Sequence, residues 1–153
     1  MLELIERTHN IDSAEIHDNL VLPYELRMRG RLRATTETSL DVGLFLDRGP
    51  VLRDGDLLQA RTGEVIRIRA ANEPVVTARI GAGLPLARLC YHLGNRHVSL
   101  AIGEDAKGGW VRFPPDHVLE ELAEHLGATL VHHSAKFDPE PGAYAPAGHS
   151  HEH

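Results

Sequence analysis

The sequence predicts an α+β protein with a small all-β domain, a second domain of alternating strands and helices, and a C-terminal tail. Short apolar stretches separated by turn residues fill residues 1–71, which is typical of closely spaced strands. In residues 72–136, strand patterns alternate with two amphipathic helical patterns. Residues 137–153 hold three prolines, two glycines and few apolar side chains, so we expect a flexible tail.

Six strands are expected in the first domain. They cover residues 2–7, 18–22, 26–33, 40–46, 57–60 and 65–69. Residues 26–33 alternate apolar and charged side chains, the pattern of a half-buried strand. The last two strands flank a short turn containing Gly63 and predict a hairpin. Arg27, Arg29, Arg31 and Arg33 then share one strand face, either as a solvated edge or as a docking surface for an acidic partner.

The second domain is expected to contain four strands and two helices. Strands are predicted at 75–80, 97–102, 110–113 and 129–132, with a glycine-rich connection over residues 103–109. One helix covers 84–93, and another follows Asp116 and ends at Gly127. The apolar stripe of the second helix is Val118, Leu119, Leu122 and Leu126. The order βαββαβ is that of a ferredoxin-like sandwich.

The turn between the first helix and the next strand carries the candidate site. Gly94 and Asn95 tolerate positive φ best, so the helix is predicted to stop there. His97 then lies at the start of a strand. One histidine per chain cannot hold a metal tightly, but a two-fold dimer would present His97 twice.

Composition excludes several classes of function. The formal net charge of −6 argues against non-specific binding to nucleic acid or anionic membranes. Cys90 is the one cysteine, residues 1–19 carry no signal-peptide pattern, and no apolar run would span a membrane. These observations predict a cytoplasmic protein. HExxH, GxSxG and P-loop motifs are missing from the sequence, so we predict that it is not an enzyme.

The stretch YHLGNRHV at residues 91–98 closely resembles the YHxGNRH motif of UreE, the family of urease nickel metallochaperones. Residues 32–58, 85–100 and 114–130 and the histidines of the tail resemble the family in the same order. The resemblance implies a homodimer that delivers nickel without covalent chemistry. It implies a metal site at the dimer interface on the histidine matching His97, and partners that include the GTPase UreG and the urease apoprotein complex. The N-terminal domain of the family is regarded as a protein- or peptide-binding module.

Histidines elsewhere supply further candidate ligands. Imidazole suits Ni(II) and also Zn(II) and Cu(II). The spacing of His149, His151 and His153 suits a flexible segment that wraps a metal bound at His97. Some relatives begin the second helix with H-D-H, where this chain has Pro115 in place of the first histidine; His117 remains a candidate, with Glu121 one turn further on.

Two other functions remain open at this point. One is storage or buffering of nickel or zinc by the histidines of the tail. The other is a peptide-binding adaptor in which metal binding is incidental.

Overall fold

The structure, a computed structural model, describes residues 1–9, 12 and 15–142. They form two compact units, Met1–Ala71 and Asn72–Glu140. The protein is a mixed α+β protein with one sheet in each unit, as the sequence predicts at this level. No described helix has the length and apolar character needed to cross a membrane.

The first unit contains one six-stranded mixed sheet. Its elements are β1 (Leu2–Thr8), β2 (Ile16–Leu22), α1 (Tyr24–Arg27), β3 (Arg31–Thr35), β4 (Asp41–Phe45), β5 (Leu57–Ala60) and β6 (Val65–Ala70). The strand order is β2-β6-β5-β1-β4-β3, in which β1–β4 and β2–β6 are parallel pairs. The hairpin of β5 and β6 is confirmed. In β2 and β6 every second residue is buried, including Leu20 and Leu22 in β2 and Ile66 and Ile68 in β6, as the strand period of two requires.

The turn after β3 joins the two edge strands of this sheet. The N–H of Glu37 donates to the Asn19 carbonyl on β2 at 2.9 Å. The buried Asp18 carboxylate accepts hydrogen bonds from the hydroxyls of Thr36 and Thr38. The edge strand β2 is therefore tied to the end of β3 by one charged cluster.

The predicted strand over residues 26–33 is wrong in its first half. Pro23 precedes a single helical turn, and Arg27 lies in that turn with only 1% of its surface exposed. The Arg27 guanidinium donates to the carbonyls of Leu22 (3.1 Å) and Leu52 (3.0 Å). These bonds satisfy a buried cation with backbone acceptors, which a residue on a solvated strand face would not do. The four arginines therefore do not share one face.

The second unit has four antiparallel strands with two helices on one face. Its elements are β7 (Asn72–Ile80), α2 (Leu84–Gly94), β8 (Ala101–Asp105), β9 (Gly108–Phe113), α3 (His117–His125) and β10 (Thr129–Lys136). The order βαββαβ follows the prediction, and the strands lie in the order β10-β7-β9-β8. Leu89 and Leu93 of α2 and Leu119 and Ala123 of α3 pack on the same apolar core.

Helix α3 begins as the sequence predicts, and Leu119, Leu122 and Leu126 of the predicted stripe pack on the core, whereas Val118 does not. The Asp116 carboxylate accepts from the N–H groups of Val118 (3.0 Å) and Leu119 (3.1 Å), as expected of an N-cap. Val118, predicted to be apolar core, is half exposed, whereas Ala123 is fully buried. Val118 lies in the first turn on the side away from the sheet. Its apolar side chain therefore wrongly indicated a core position.

The glycine-rich connection over residues 103–109 is mostly strand. Strands β8 and β9 extend to Asp105 and from Gly108, which leaves a two-residue turn. The Trp110 side chain occupies the space beside Gly103, where an added Cβ would lie 2.3 Å from the indole ring. The glycine here therefore makes room for a cross-strand aromatic ring and does not mark a loop.

Candidate metal site

Helix α2 ends directly before the turn that carries His97. The helix runs to Gly94, and Asn95 caps it in a right-handed conformation at φ −66°. The N–H of Arg96 donates to the Leu93 carbonyl (3.1 Å), and the N–H of His97 to the Gly94 carbonyl (2.9 Å). His97 has a φ of 57°. The helix end is confirmed, but the left-handed residue is His97 and not Gly94 or Asn95.

This conformation removes His97 from the strand predicted over residues 97–102. A residue with positive φ interrupts an extended chain, and β8 begins only at Ala101. Histidine is one of the few side chains besides asparagine and aspartate enriched in the left-handed region. The His97 side chain is exposed. Within the part of the chain that the structure describes, its ring has no hydrogen-bond partner, so both ring nitrogens are accessible.

One copy of the described chain does not complete a metal site. Among residues 1–9, 12 and 15–142, no three His, Cys, Asp or Glu side chains are grouped so that they could hold an ion. The predicted ligands His149, His151 and His153, and most of the tail, lie outside the described residues. A tight site at His97 therefore needs ligands from that segment or from a second copy.

Helix α2 has an exposed apolar side as well as its buried one. Leu84 is 59% exposed and Tyr91 67% exposed, two turns apart on the same side of the helix. The Tyr91 ring contacts the His92 ring edge to face, with centroids 5.1 Å apart. This exposed stripe runs toward the His97 turn. A helix that is apolar on two sides is expected to be covered on both.

The chain after β10 returns toward the same region. The N–H of Glu140 donates to the Leu100 carbonyl at 2.8 Å, and Phe137 is buried along the way. Leu100 directly precedes β8, which lies at the opposite edge of the sheet from β10. The backbone is thus brought from β10 to a point three residues beyond His97, and the first residues of the segment expected to be a flexible tail are held in place here.

His117 lies at the start of α3, in the first turn. Its Nε2 is 3.5 Å from the Glu121 carboxylate, and both side chains are largely exposed. An exposed pair of this kind contributes little to stability. The neighbouring Glu120 carboxylate is already used, since it accepts from the N–H of Asp116 and contacts Nε2 of His132 at 2.5 Å. His117 therefore has one free carboxylate beside it and no third ligand among the described residues.

Cys90 is the one thiol near this region. Burial raises the pKa of the Cys90 thiol, and the nearby Glu140 carboxylate raises it further. Metals bind the thiolate, so a thiol that ionises less readily is a weaker ligand at neutral pH. Cys90 is therefore not included among the candidate ligands.

Two family models match the two units of the chain. The model described as UreE urease accessory protein, N-terminal domain, matches residues 1–71, and that of the C-terminal domain matches residues 73–153. The chain belongs to the UreE family. The resemblance carried by the YHLGNRHV stretch is confirmed, and the chain is a member of a family of urease accessory proteins.

Relatives from several bacteria are similar over most of the chain. Urease accessory protein UreE of Marinobacter nauticus is 77% identical, over all of this chain and 88% of the relative. The UreE of Pseudoalteromonas translucida is 67% identical, over all of this chain and 91% of the relative. The UreE of Proteus mirabilis is 47% identical, over 82% of this chain and 75% of the relative.

Two features near the UreE motif were not found from the sequence. The exposed side of α2 had a signal, because Leu84, Ala87 and Tyr91 follow a helical spacing away from the buried face. The bond between Glu140 and Leu100 had none, since it joins backbone groups far apart in the chain and involves no characteristic side chain.

Proposed function

We propose that this protein is a nickel metallochaperone that binds Ni(II) as a homodimer and delivers it to the urease maturation complex. His97 of each subunit lies at the dimer interface, and His149, His151 and His153 complete the coordination. The single observation that carries the proposal is the exposed His97 in a left-handed turn of the UreE motif, with a ring free of partners among the described residues.

The exposed side of α2 supports the homodimer. Leu84 and Tyr91 leave apolar surface beside the turn that carries His97. A contact between two copies around a two-fold axis is self-complementary. It would cover this surface on both subunits and bring two His97 side chains to the axis. Shared ligands explain why one copy of the described chain contains no complete metal site.

The return of the chain to Leu100 supports a role for the tail. His149 lies nine residues beyond Glu140, a separation that an extended chain spans over at most about 30 Å. His97 lies three residues before Leu100, which is at most about 10 Å of chain. The covalent connection therefore allows His149, His151 and His153 to reach a metal held at His97.

The two units have different roles in this proposal. The unit over residues 72–136 is a ferredoxin-like metal-binding domain, residues 1–71 are a protein- or peptide-binding domain, and residues 137–153 are the histidine-bearing tail that supplies further ligands. The GTPase UreG and the urease apoprotein complex are the partners that receive nickel, in the cytoplasm. His117 with Glu121 supplies a weaker, peripheral site, since it offers two exposed donors. Zn(II) and Cu(II) would bind the same imidazoles in vitro.

Substitution of His97 tests the proposal. We expect His97→Ala and His97→Gly to weaken the tightest nickel site by at least about 100-fold, because loss of a second-shell partner alone costs about 10- to 100-fold. Calorimetric titration with Ni(II) measures this. His97→Gly also relieves the positive φ, so it separates loss of the ligand from strain in the turn.

His125→Ala is the matched control, because His125 is an exposed histidine in the last turn of α3. It should leave the tightest nickel site unchanged. Full-strength nickel binding by His97→Gly would show that the site lies elsewhere and would overturn the assignment.

A further inference from the structure

Two adjoining hollows in the first unit contain several arginines each. One hollow, of about 490 Å³, lies over β3 and β4 and includes Arg29, Arg31 and Arg33. The other, of about 210 Å³, includes Arg7, Arg27, Arg29 and Arg48. Arg29 belongs to both. Six of the sixteen basic residues of the chain thus line one continuous area, the arginine surface.

Some of these arginines are already bound to other groups. Arg27 is buried on backbone carbonyls, Arg7 donates to the Pro50 carbonyl at 2.7 Å, and Arg33 pairs with Asp41 at 3.1 Å. The others are Arg29, Arg31 and Arg48. Within the described residues, none of these three has a carboxylate at salt-bridge distance, although Asp47 lines the smaller hollow. The surface therefore has cationic groups without anionic partners in a chain whose net charge is −6.

Apolar side chains lie among these cations. Phe45 is 38% exposed and Met28 is 54% exposed. The guanidinium of Arg31 lies over the Phe45 ring, 5.7 Å from its centroid, which is a cation–π distance. Gly43 pairs with Arg33 across β3 and β4, and the Phe45 ring and the Met1 side chain lie over it, 2.9 and 3.0 Å from the position of an added Cβ. An exposed aromatic ring beside arginines is typical of the residues that dominate protein interfaces.

We propose that the arginine surface docks an acidic segment of a partner protein. Carboxylates of that segment pair with Arg29, Arg31 and Arg48, and an apolar side chain packs on the exposed Phe45 and Met1. Charge complementarity identifies the occupant: arginine forks bind carboxylates in bidentate fashion, and a neutral or basic segment would leave these cations unpaired. The inference rests on the proposed protein-binding role of residues 1–71, but it does not require a metal at His97.

From the sequence, Arg27, Arg29, Arg31 and Arg33 are expected to form either a solvated edge or a docking surface for an acidic partner. The structure removes Arg27, which is buried, and adds Arg48 from the segment after β4. The surface is thus formed by residues from separate parts of the chain and does not depend on one strand face.

A fluorescein-labelled peptide with glutamates flanking one phenylalanine is the probe, and fluorescence anisotropy is the readout. We expect the peptide to bind the full chain and its affinity to fall as salt is added. Arg29→Glu with Arg31→Glu should weaken binding by at least about tenfold. The matched control is Lys107→Glu with Lys136→Glu, which makes the same change in net charge on exposed residues of the second unit and should bind like the wild type. Phe45→Ala, without any change of charge, should weaken binding to a lesser degree.

Three results would overturn the inference. The first is no binding of the peptide by the wild-type chain at millimolar concentration. The second is equal weakening of peptide binding by the two charge-reversed pairs, which would mean that the net charge of the protein and not the arginine surface determines binding. The third is tighter binding of a poly-dT oligonucleotide at the same arginines. Thermal unfolding and nickel titration of the same variants confirm that the fold and the His97 site are retained, so failure of this inference is distinguishable from failure of the nickel proposal.

Discussion

At the scale of single residues, Asp18 has an unusual environment in the first unit. It is a buried carboxylate with no cation paired to it among the described residues; two threonine hydroxyls and the Asn19 N–H donate to it instead. Burial opposes ionisation, but the hydrogen bonds from Thr36, Thr38 and Asn19 outweigh it and lower the pKa of Asp18. The charged form therefore stabilises the folded state.

This lowered pKa sets a pH dependence of stability. The stabilisation is present above the pKa of an unfolded aspartate, about 3.9, and is lost as pH falls through the lower pKa of the folded state. We expect Asp18→Asn to reduce the free energy of unfolding by about 1–3 kcal/mol at pH 7, and by less below about pH 4. Urea unfolding at several pH values measures the difference. A difference that stays constant down to pH 3 would contradict the assignment.

The sequence motif marks His97 as a candidate ligand, but it does not indicate the backbone conformation of that residue. The UreE motif singled out His97 from sequence alone. Its left-handed backbone could not be predicted, because the neighbouring Gly94 and Asn95 are stronger candidates for positive φ. Asp18 gave no signal, since the threonines that bind it lie in a turn far along the chain.

At the scale of elements, the two helices of the second unit end in contrasting ways. Helix α3 ends with Gly127 at φ 99°, and the Ala128 N–H donates to the Ala123 carbonyl, the pattern of a Schellman motif. Helix α2 includes Gly94 as its last helical residue, and a Cβ added at Gly94 would meet no atom within 4 Å. The same glycine signal in the sequence therefore has two different structural meanings.

Alanine at the two glycines should change stability in opposite directions. Gly94→Ala is expected to raise the free energy of unfolding by about 0.5–1 kcal/mol, because it removes backbone freedom from the unfolded chain at a helical position. Gly127→Ala should lower it by about 1–2 kcal/mol, because the alanine Cβ is strained in the left-handed region. Denaturant unfolding of the apo protein gives both values. A loss in both variants would mean that Gly94 also needs positive φ.

Most elements were predictable because their signals are local. The β5–β6 hairpin and both long helices of the second unit followed from turn residues, caps and apolar spacing. The prediction of a strand over residues 26–33 was wrong in its first half because the Arg27 guanidinium is buried and not solvated. The alternation of apolar and charged side chains cannot distinguish a buried arginine from a solvated one.

At the scale of the whole molecule, deletion of residues 144–153 distinguishes nickel delivery through a site at His97 from nickel storage by the histidines of the tail. The deleted segment carries three of the eleven histidines. We expect metal capacity to fall while one nickel site per dimer remains on the paired His97, as measured by equilibrium dialysis. His149→Asn with His151→Asn and His153→Asn in the full-length chain is the control for loss of the segment itself. Loss of all nickel binding on truncation would mean that two His97 side chains do not suffice.

The complete ligand set of the proposed dimeric site could not be predicted from one chain, for a physical reason. When two copies share a site, each sequence contains a single ligand histidine. A single residue has no characteristic spacing to a second ligand, so a search for spaced metal ligands does not detect it. The fold of each unit depends on contacts within it, so it was predictable to a much greater extent.

The hydrogen bond between Glu140 and Leu100 also has a consequence for local concentration. A histidine confined by nine residues of chain to within about 30 Å of that bond is present there at an effective concentration of about 10 mM or more. Its encounter with a metal at the proposed His97 site would then be intramolecular and would not depend on protein concentration. A free peptide with the sequence of residues 144–153 would need millimolar amounts to replace the covalently attached segment in a truncated protein.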